Sequence, residues 1–127
     1  KAIDTVINEF SVDENKVSLT GFSMGGEGSI RYGALNANRF AAIAPIAGSA
    51  IAIKSDALAL ASTKLWMFQG ETDRISTTVL GRKMSTWIKE AGGDIRYTEF
   101  RGVGHNIQGK ALGTTGFIQW LISQERK

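Results

Sequence analysis

The stretch Lys16-Val-Ser-Leu-Thr-Gly-Phe-Ser-Met-Gly-Gly26 decides how the chain is read. It opens on the apolar positions Val17 and Leu19 of a strand and closes in a glycine-rich turn. A helix-compatible segment follows. Ser23 stands between Gly21 and Gly25, giving G-x-S-x-G with a strand signal before it and a helix signal after it. That context predicts an elbow that presents a nucleophilic serine. Such a turn holds the serine in a strained backbone conformation, so glycine is expected at both flanking positions, where side chains would collide. The serine then stands at a helix N-terminus, where free N–H groups and the helix dipole favour negative charge.

Outward from the elbow, composition sets the bounds. The chain has 127 residues, and one domain with one core is expected over 1–127. Hydrophobic residues make up 43% and charged residues 21%, which excludes a disordered chain. The net charge of +3 is scattered, with no basic stripe, so nucleic acid is not an expected partner. The absence of cysteine removes disulfides, thiolate metal sites and cysteine nucleophiles together. No apolar run approaches the ~20 residues of a membrane span. No signal peptide is recognised and the first residue is lysine, so a mature product or a piece of a longer protein is expected. Cytoplasm and export from a bacterium both remain open.

Before the elbow, Ile3, Val6, Ile7 and Phe10 fall on one face of a helix over 1–10. A polar turn over 11–15 leads to a strand over 16–21. Met24 to Leu35 reads as a helix despite Gly28 and Gly33, each costing roughly 1 kcal/mol of helicity; close packing against a sheet is the expected reason. Asn36 to Arg39 closes that helix. Phe40 to Ala47 is apolar throughout, as in a strand buried on both faces. Residues 48–63 are irregular, with a short helix after Ser55. Leu65 to Phe68 is another apolar strand, followed by a polar loop over 69–74. Ser76 is expected to cap a helix running to Ala91, with Leu80, Met84, Trp87, Ile88 and Ala91 on one face and Gly92-Gly93 stopping it. Ile95 to Phe100 alternates as a strand. Arg101 to Gly113 is a glycine-rich loop, and a last helix over 114–125 buries Phe117, Trp120 and Leu121. Trp66, Trp87 and Trp120 read as packing residues.

The order is an α/β fold: a parallel sheet of about four strands flanked by helices. In such sheets functional groups gather beyond the C-terminal ends of the strands. Ser23, Asp73 and His105 each follow a predicted strand and so emerge at one edge. A serine hydroxyl needs a base, histidine suits that task, and a carboxylate behind it fixes the tautomer. The chain's one histidine is His105, and the chain order is Ser…Asp…His. Glu71 lies two residues from Asp73 and either carboxylate is within reach of the imidazole; Asp73 is preferred because it sits further from the strand end. Asp94 and Glu99 lie at or inside a strand and are weaker candidates. The alternative for Ser23, a phosphate cradle, lacks both G-x-x-x-x-G-K-[ST] and G-x-G-x-x-G. An oxyanion hole takes two donors. The backbone N–H of Met24 is the first; the second normally comes from a loop after an earlier strand, and no earlier strand is predicted.

The stretches "VDENKVSLTGFSMGG", "RFAAIAPIAG", "LWMFQGETDRI" and "AGGDIRYTEFRGVGHN", in that order, resemble the second half of an α/β-hydrolase. They are most similar to the bacterial serine esterases grouped as phospholipase/carboxylesterase, feruloyl-esterase or polyhydroxybutyrate-depolymerase-like. The resemblance implies Ser23 as nucleophile, His105 as base, Asp73 as acid and Met24 as an oxyanion donor. It implies hydrolysis of a small-molecule carboxylic ester through an acyl-enzyme, with no metal and no cofactor. Four positions depart from the pattern. Gln69 replaces the histidine that often precedes the acid, a change expected to leave the triad untouched. Glu27, and Ile107 with Gln108, stand where aromatics are common. The usual N-terminal strands are missing, so the elbow strand is expected at an open sheet edge, favouring a homo-oligomer through that edge. Alternatives are a peptidase or acyltransferase on the same triad, or an inactive hydrolase-like fragment serving as a binding or structural module.

Overall fold

A computed structural model describes residues 1–126. Its elements are α1 (Ala2–Glu9), β1 (Ser18–Phe22), α2 (Met24–Leu35), β2 (Ala42–Ile46), α3 (Lys54–Leu60), β3 (Lys64–Gly70), α4 (Thr78–Glu90), β4 (Ile95–Phe100), α5 (Gln108–Leu112) and α6 (Phe117–Ser123). The four strands form one sheet in the order β1-β2-β3-β4, and every pairing is parallel. The elbow strand β1 is therefore an edge strand, as the sequence leads one to expect.

The apolar runs explain the centre of the sheet. Every residue of β2 is buried, as is every residue of β3 after Lys64, because helices cover both faces. Successive side chains point to opposite faces. Ile43, Leu65 and Met67 join Ile30, Leu60, Met84 and Ile88 under α2, α3 and α4. Ala44, Ile46, Trp66 and Phe68 join Ile107, Ala111 and Phe117 on the other face, under α5 and α6. Phe117 packs edge-on against Phe68 at 4.7 Å and Trp66 at 5.5 Å between ring centroids. Burying such a ring contributes roughly 1.5–3 kcal/mol, which anchors α6 to the sheet.

Several local expectations need correction. The face of α1 predicted by Ile3, Val6, Ile7 and Phe10 exists, but no residue of α1 is fully buried, and Val6 and Phe10 stay 49% and 65% exposed. An apolar hollow of about 310 Å³ opens there, lined by Ala2, Ile3, Val6, Ile7, Val12 and Val17. Close packing holds for Gly33, where an added Cβ would sit 2.5 Å from Ile43 Cδ1, but not for Gly28, which faces open space. Helix α4 is capped by Thr77, whose side chain accepts from the Leu80 N–H. Ser76 instead turns inward and donates to the Ala47 carbonyl at 2.5 Å. Helix α5 lies inside the predicted loop. Helix α6 begins at Phe117 and not at Thr114, after Gly116 at φ +81°. Among the described residues, no helix is long and apolar enough to cross a membrane.

Candidate active site

The site begins at the turn from β1 into α2. Ser23 adopts φ 58°, ψ −115°, and its N–H donates to the Ile46 carbonyl at 2.9 Å, tying the turn to β2. A positive φ on a non-glycine residue costs of order 1–3 kcal/mol and persists only when its surroundings over-determine it. The glycines show how. A Cβ on Gly21 would lie 2.2 Å from the Gly25 carbonyl oxygen, and one on Gly26 would lie 2.6 Å from the Ile46 carbonyl oxygen. Gly25 itself has nothing within 4 Å of an added Cβ. Crowding thus requires glycine at 21 and 26, and the expectation of crowding at 25 is corrected. Ser23 is the N-cap of α2, yet its hydroxyl makes no capping bond. Its Oγ points the other way, to 2.7 Å from His105 Nε2.

His105 arrives on the loop after β4. Its Nδ1 lies 2.7 Å from Asp73 Oδ2, so Ser23, His105 and Asp73 form one hydrogen-bonded chain. The Phe22 ring stands 5.3 Å from the imidazole at 38° and closes one side of it. The Asp73 side chain is fully buried, while His105 keeps 19% exposure, so the solvent-facing end of the chain is the serine and imidazole. Asp73 Oδ1 accepts from the N–H groups of Ile75 at 2.8 Å and Ser76 at 2.9 Å. A carboxylate buried without such donors would be costly.

The acid loop and the histidine loop are stitched together. Thr72 N–H donates to the Val103 carbonyl at 3.0 Å, and Glu71 Oε1 accepts from Gly102 N–H at 2.8 Å. Glu71 is thereby taken up by the backbone, and Asp73 is the carboxylate that faces the imidazole. Gly70 makes the approach feasible, since a Cβ there would fall 2.0 Å from the Gly104 carbonyl oxygen. Of the weaker candidates, Glu99 accepts from Arg82 Nε at 2.6 Å, Arg82 Nη2 at 2.8 Å and Tyr97 O–H at 2.8 Å. Asp94 is exposed ahead of β4. The Met24 amide belongs to the first turn of α2, whose N–H groups lack intrahelical partners.

One contact was not read from the sequence. Gln69 is fully buried beside Asp73, its Nε2 3.4 Å from Oδ2, so it does not stand apart from the three residues. The available signal was its place inside β3, four residues before Asp73. Among the described residues, no group of His, Asp or Glu is arranged to hold a metal ion. A cavity of about 370 Å³ lies at the opposite ends of the strands, by Asn15, Asn38, Lys64 and Arg126, and is remote from this chemistry.

The sequence pattern of the Dienelactone hydrolase family matches residues 1–111. No curated protein matches the sequence significantly. Among solved structures, a thermostable esterase is 28% identical with a TM-score of 0.91, over 98% of this chain and 35% of its own. The Arabidopsis thaliana protein SOBER1 is 24% identical with a TM-score of 0.75, over 95% of this chain and 58% of its own. Esterase PE8 is 20% identical with a TM-score of 0.77, over 94% of this chain and 56% of its own. The chain thus spans less than two thirds of the length of these structures. The last two likenesses bear on the fold alone.

Proposed function

Since the chain belongs to the Dienelactone hydrolase family, we propose that it forms the C-terminal catalytic portion of a serine hydrolase cleaving carboxylic esters. The observation that carries this reading is the chain Ser23 Oγ–His105 Nε2–Asp73, with both contacts at 2.7 Å. The resemblance to a thermostable esterase supports the ester as substrate. In the first step Ser23 Oγ attacks the ester carbonyl carbon and His105 Nε2 takes the hydroxyl proton. Asp73 accepts the Nδ1–H and stabilises the imidazolium. The oxyanion lies against the Met24 N–H at the positive end of α2. Collapse breaks the carbon–oxygen bond to the alcohol, which leaves with the proton from His105. Water, deprotonated by His105, then attacks the acyl-Ser23 ester. The carboxylic acid departs and the serine regains its proton. Acyl transfer uses two oxyanion donors, the second normally from a loop after an earlier strand. Among the described residues no strand precedes β1. That observation favours a second reading, an inactive hydrolase-like module.

Hydrolysis of p-nitrophenyl acetate by this chain and by Ser23→Ala separates the readings. The triad predicts turnover that falls by about 10³-fold or more in the alanine variant. Turnover surviving in Ser23→Ala overturns the assignment, and no turnover in either chain favours the inactive module.

A further inference from the structure

Gln69 is the next-to-last residue of β3, and its side chain is completely buried. Its Nε2 donates to the Ser76 carbonyl and stands 3.4 Å from Asp73 Oδ2, the oxygen that also faces His105. The Gly70 carbonyl lies 3.4 Å away on another side. All three of these polar partners of Nε2 are acceptors, which fixes the orientation of the amide. Its Oε1, in contrast, is buried and finds no donor among the described residues. An apolar side chain of the same length would fill this space without an unpaired carbonyl, so packing alone does not account for glutamine here.

We propose that Gln69 is a positioning residue for the acid of the triad. This inference rests on the triad reading given above. The carboxylate of Asp73 is held at both oxygens. Oδ1 sits on the amides of Ile75 and Ser76, and Oδ2 lies between His105 Nδ1 and Gln69 Nε2. The bond from Gln69 to the Ser76 carbonyl closes the loop between β3 and α4, the same loop that supplies those two amides. Gln69 therefore braces the loop and offers an N–H to the oxygen that must stay in line with the imidazole. If the brace is lost, the carboxylate turns, the imidazole loses its tether, and Nε2 leaves the line to Ser23 Oγ. Small displacements of that kind are costly in rate, because the base must lie within hydrogen-bond reach of the proton it takes.

The test compares Gln69→Met, which keeps the volume and removes the N–H, with Gln69→His, which returns an N–H to the site. With p-nitrophenyl acetate, Gln69→Met is expected to lower kcat about ten- to a hundredfold with KM unchanged. Its thermal midpoint should fall by several degrees at most, because the buried Ser76 carbonyl loses its donor, and Gln69→His should recover most of kcat. A second readout does not depend on turnover. His105 is the only histidine, so its ring Nδ1–H gives a single low-field proton signal. That signal should be sharp in the parent and in Gln69→His and broadened by solvent exchange in Gln69→Met. An unchanged kcat and signal in Gln69→Met overturn the proposal, as does a loss of kcat no larger than the unfolded fraction at the assay temperature or a Gln69→Met chain that does not fold. If the parent hydrolyses no ester but Gln69→Met still broadens the signal, the esterase reading fails and the positioning role stands.

Discussion

Ser23 holds a backbone conformation that its neighbours enforce, and the two glycines of its motif share that task unequally. A Cβ on Gly21 meets the Gly25 carbonyl oxygen at 2.2 Å, a backbone atom that cannot swing aside, whereas a Cβ on Gly25 meets nothing. Gly21→Ala is therefore expected to cost about 3 kcal/mol or more. Gly25→Ala should be neutral or stabilising by up to ~1 kcal/mol, since alanine is the better helix former. Thermal unfolding of both variants checks this, and equal losses would contradict it. The motif made Ser23 legible because G-x-S-x-G between a strand and a helix has few other readings. It could not distinguish the two glycines, because the clash at 21 depends on how the turn folds back on itself. The grouping of His105 and Asp73 followed from strand order. Gln69 was not legible as their neighbour, since its contact with Asp73 exists only once the loop to Ser76 has closed.

Among the elements, β2 and β3 were the plainest in the sequence, because unbroken apolar runs leave a strand buried on both faces as the economical reading. Helix α5 was not legible. It has five residues with a glycine inside, and burial of Ile107 and Ala111 against the sheet defines it more than helix propensity does. The periodicity of α1 was real, but periodicity reports which face is apolar and not what covers it. One tie between elements has a measurable pH signature. Arg82 on α4 and Tyr97 on β4 both donate to Glu99. The hydrogen bond from Arg82 is the main reason the Glu99 carboxyl is held below its usual range, while burial and the bond to Glu99 push the Tyr97 phenol up. A carboxyl depressed in the folded state adds stability that is fully present above its unfolded pKa of about 4.3 and is lost as pH falls through the folded value. The gap in thermal midpoint between the parent and Glu99→Gln should thus be constant from neutral pH to about pH 5 and close below about pH 4. A gap that widens on acidification would contradict the assignment.

At the scale of the whole molecule, one parallel sheet brings Ser23, Asp73 and His105 together beyond the C-terminal ends of its strands. The loops after β1, β3 and β4 each deliver one of them, and the contacts between the last two loops set the distances. Among the described residues the sheet has two edge strands, β1 and β4, and the exposed apolar face of α1 lies near β1. The fold class was legible in full from the alternation of strands and helices. The side chains left uncovered were not, because burial depends on which elements meet in space and not on their order. The central claim is that Ser23 is a nucleophile activated through His105, and covalent labelling tests it most directly. Diisopropyl fluorophosphate transfers its phosphoryl group to an activated serine oxygen, with loss of fluoride and a proton, and mass spectrometry of the digested chain locates the adduct. We predict one adduct, on the peptide containing Ser23, formed in the parent chain and suppressed in His105→Ala. An adduct on another residue, or equal labelling of Ser23 without the histidine, would contradict it.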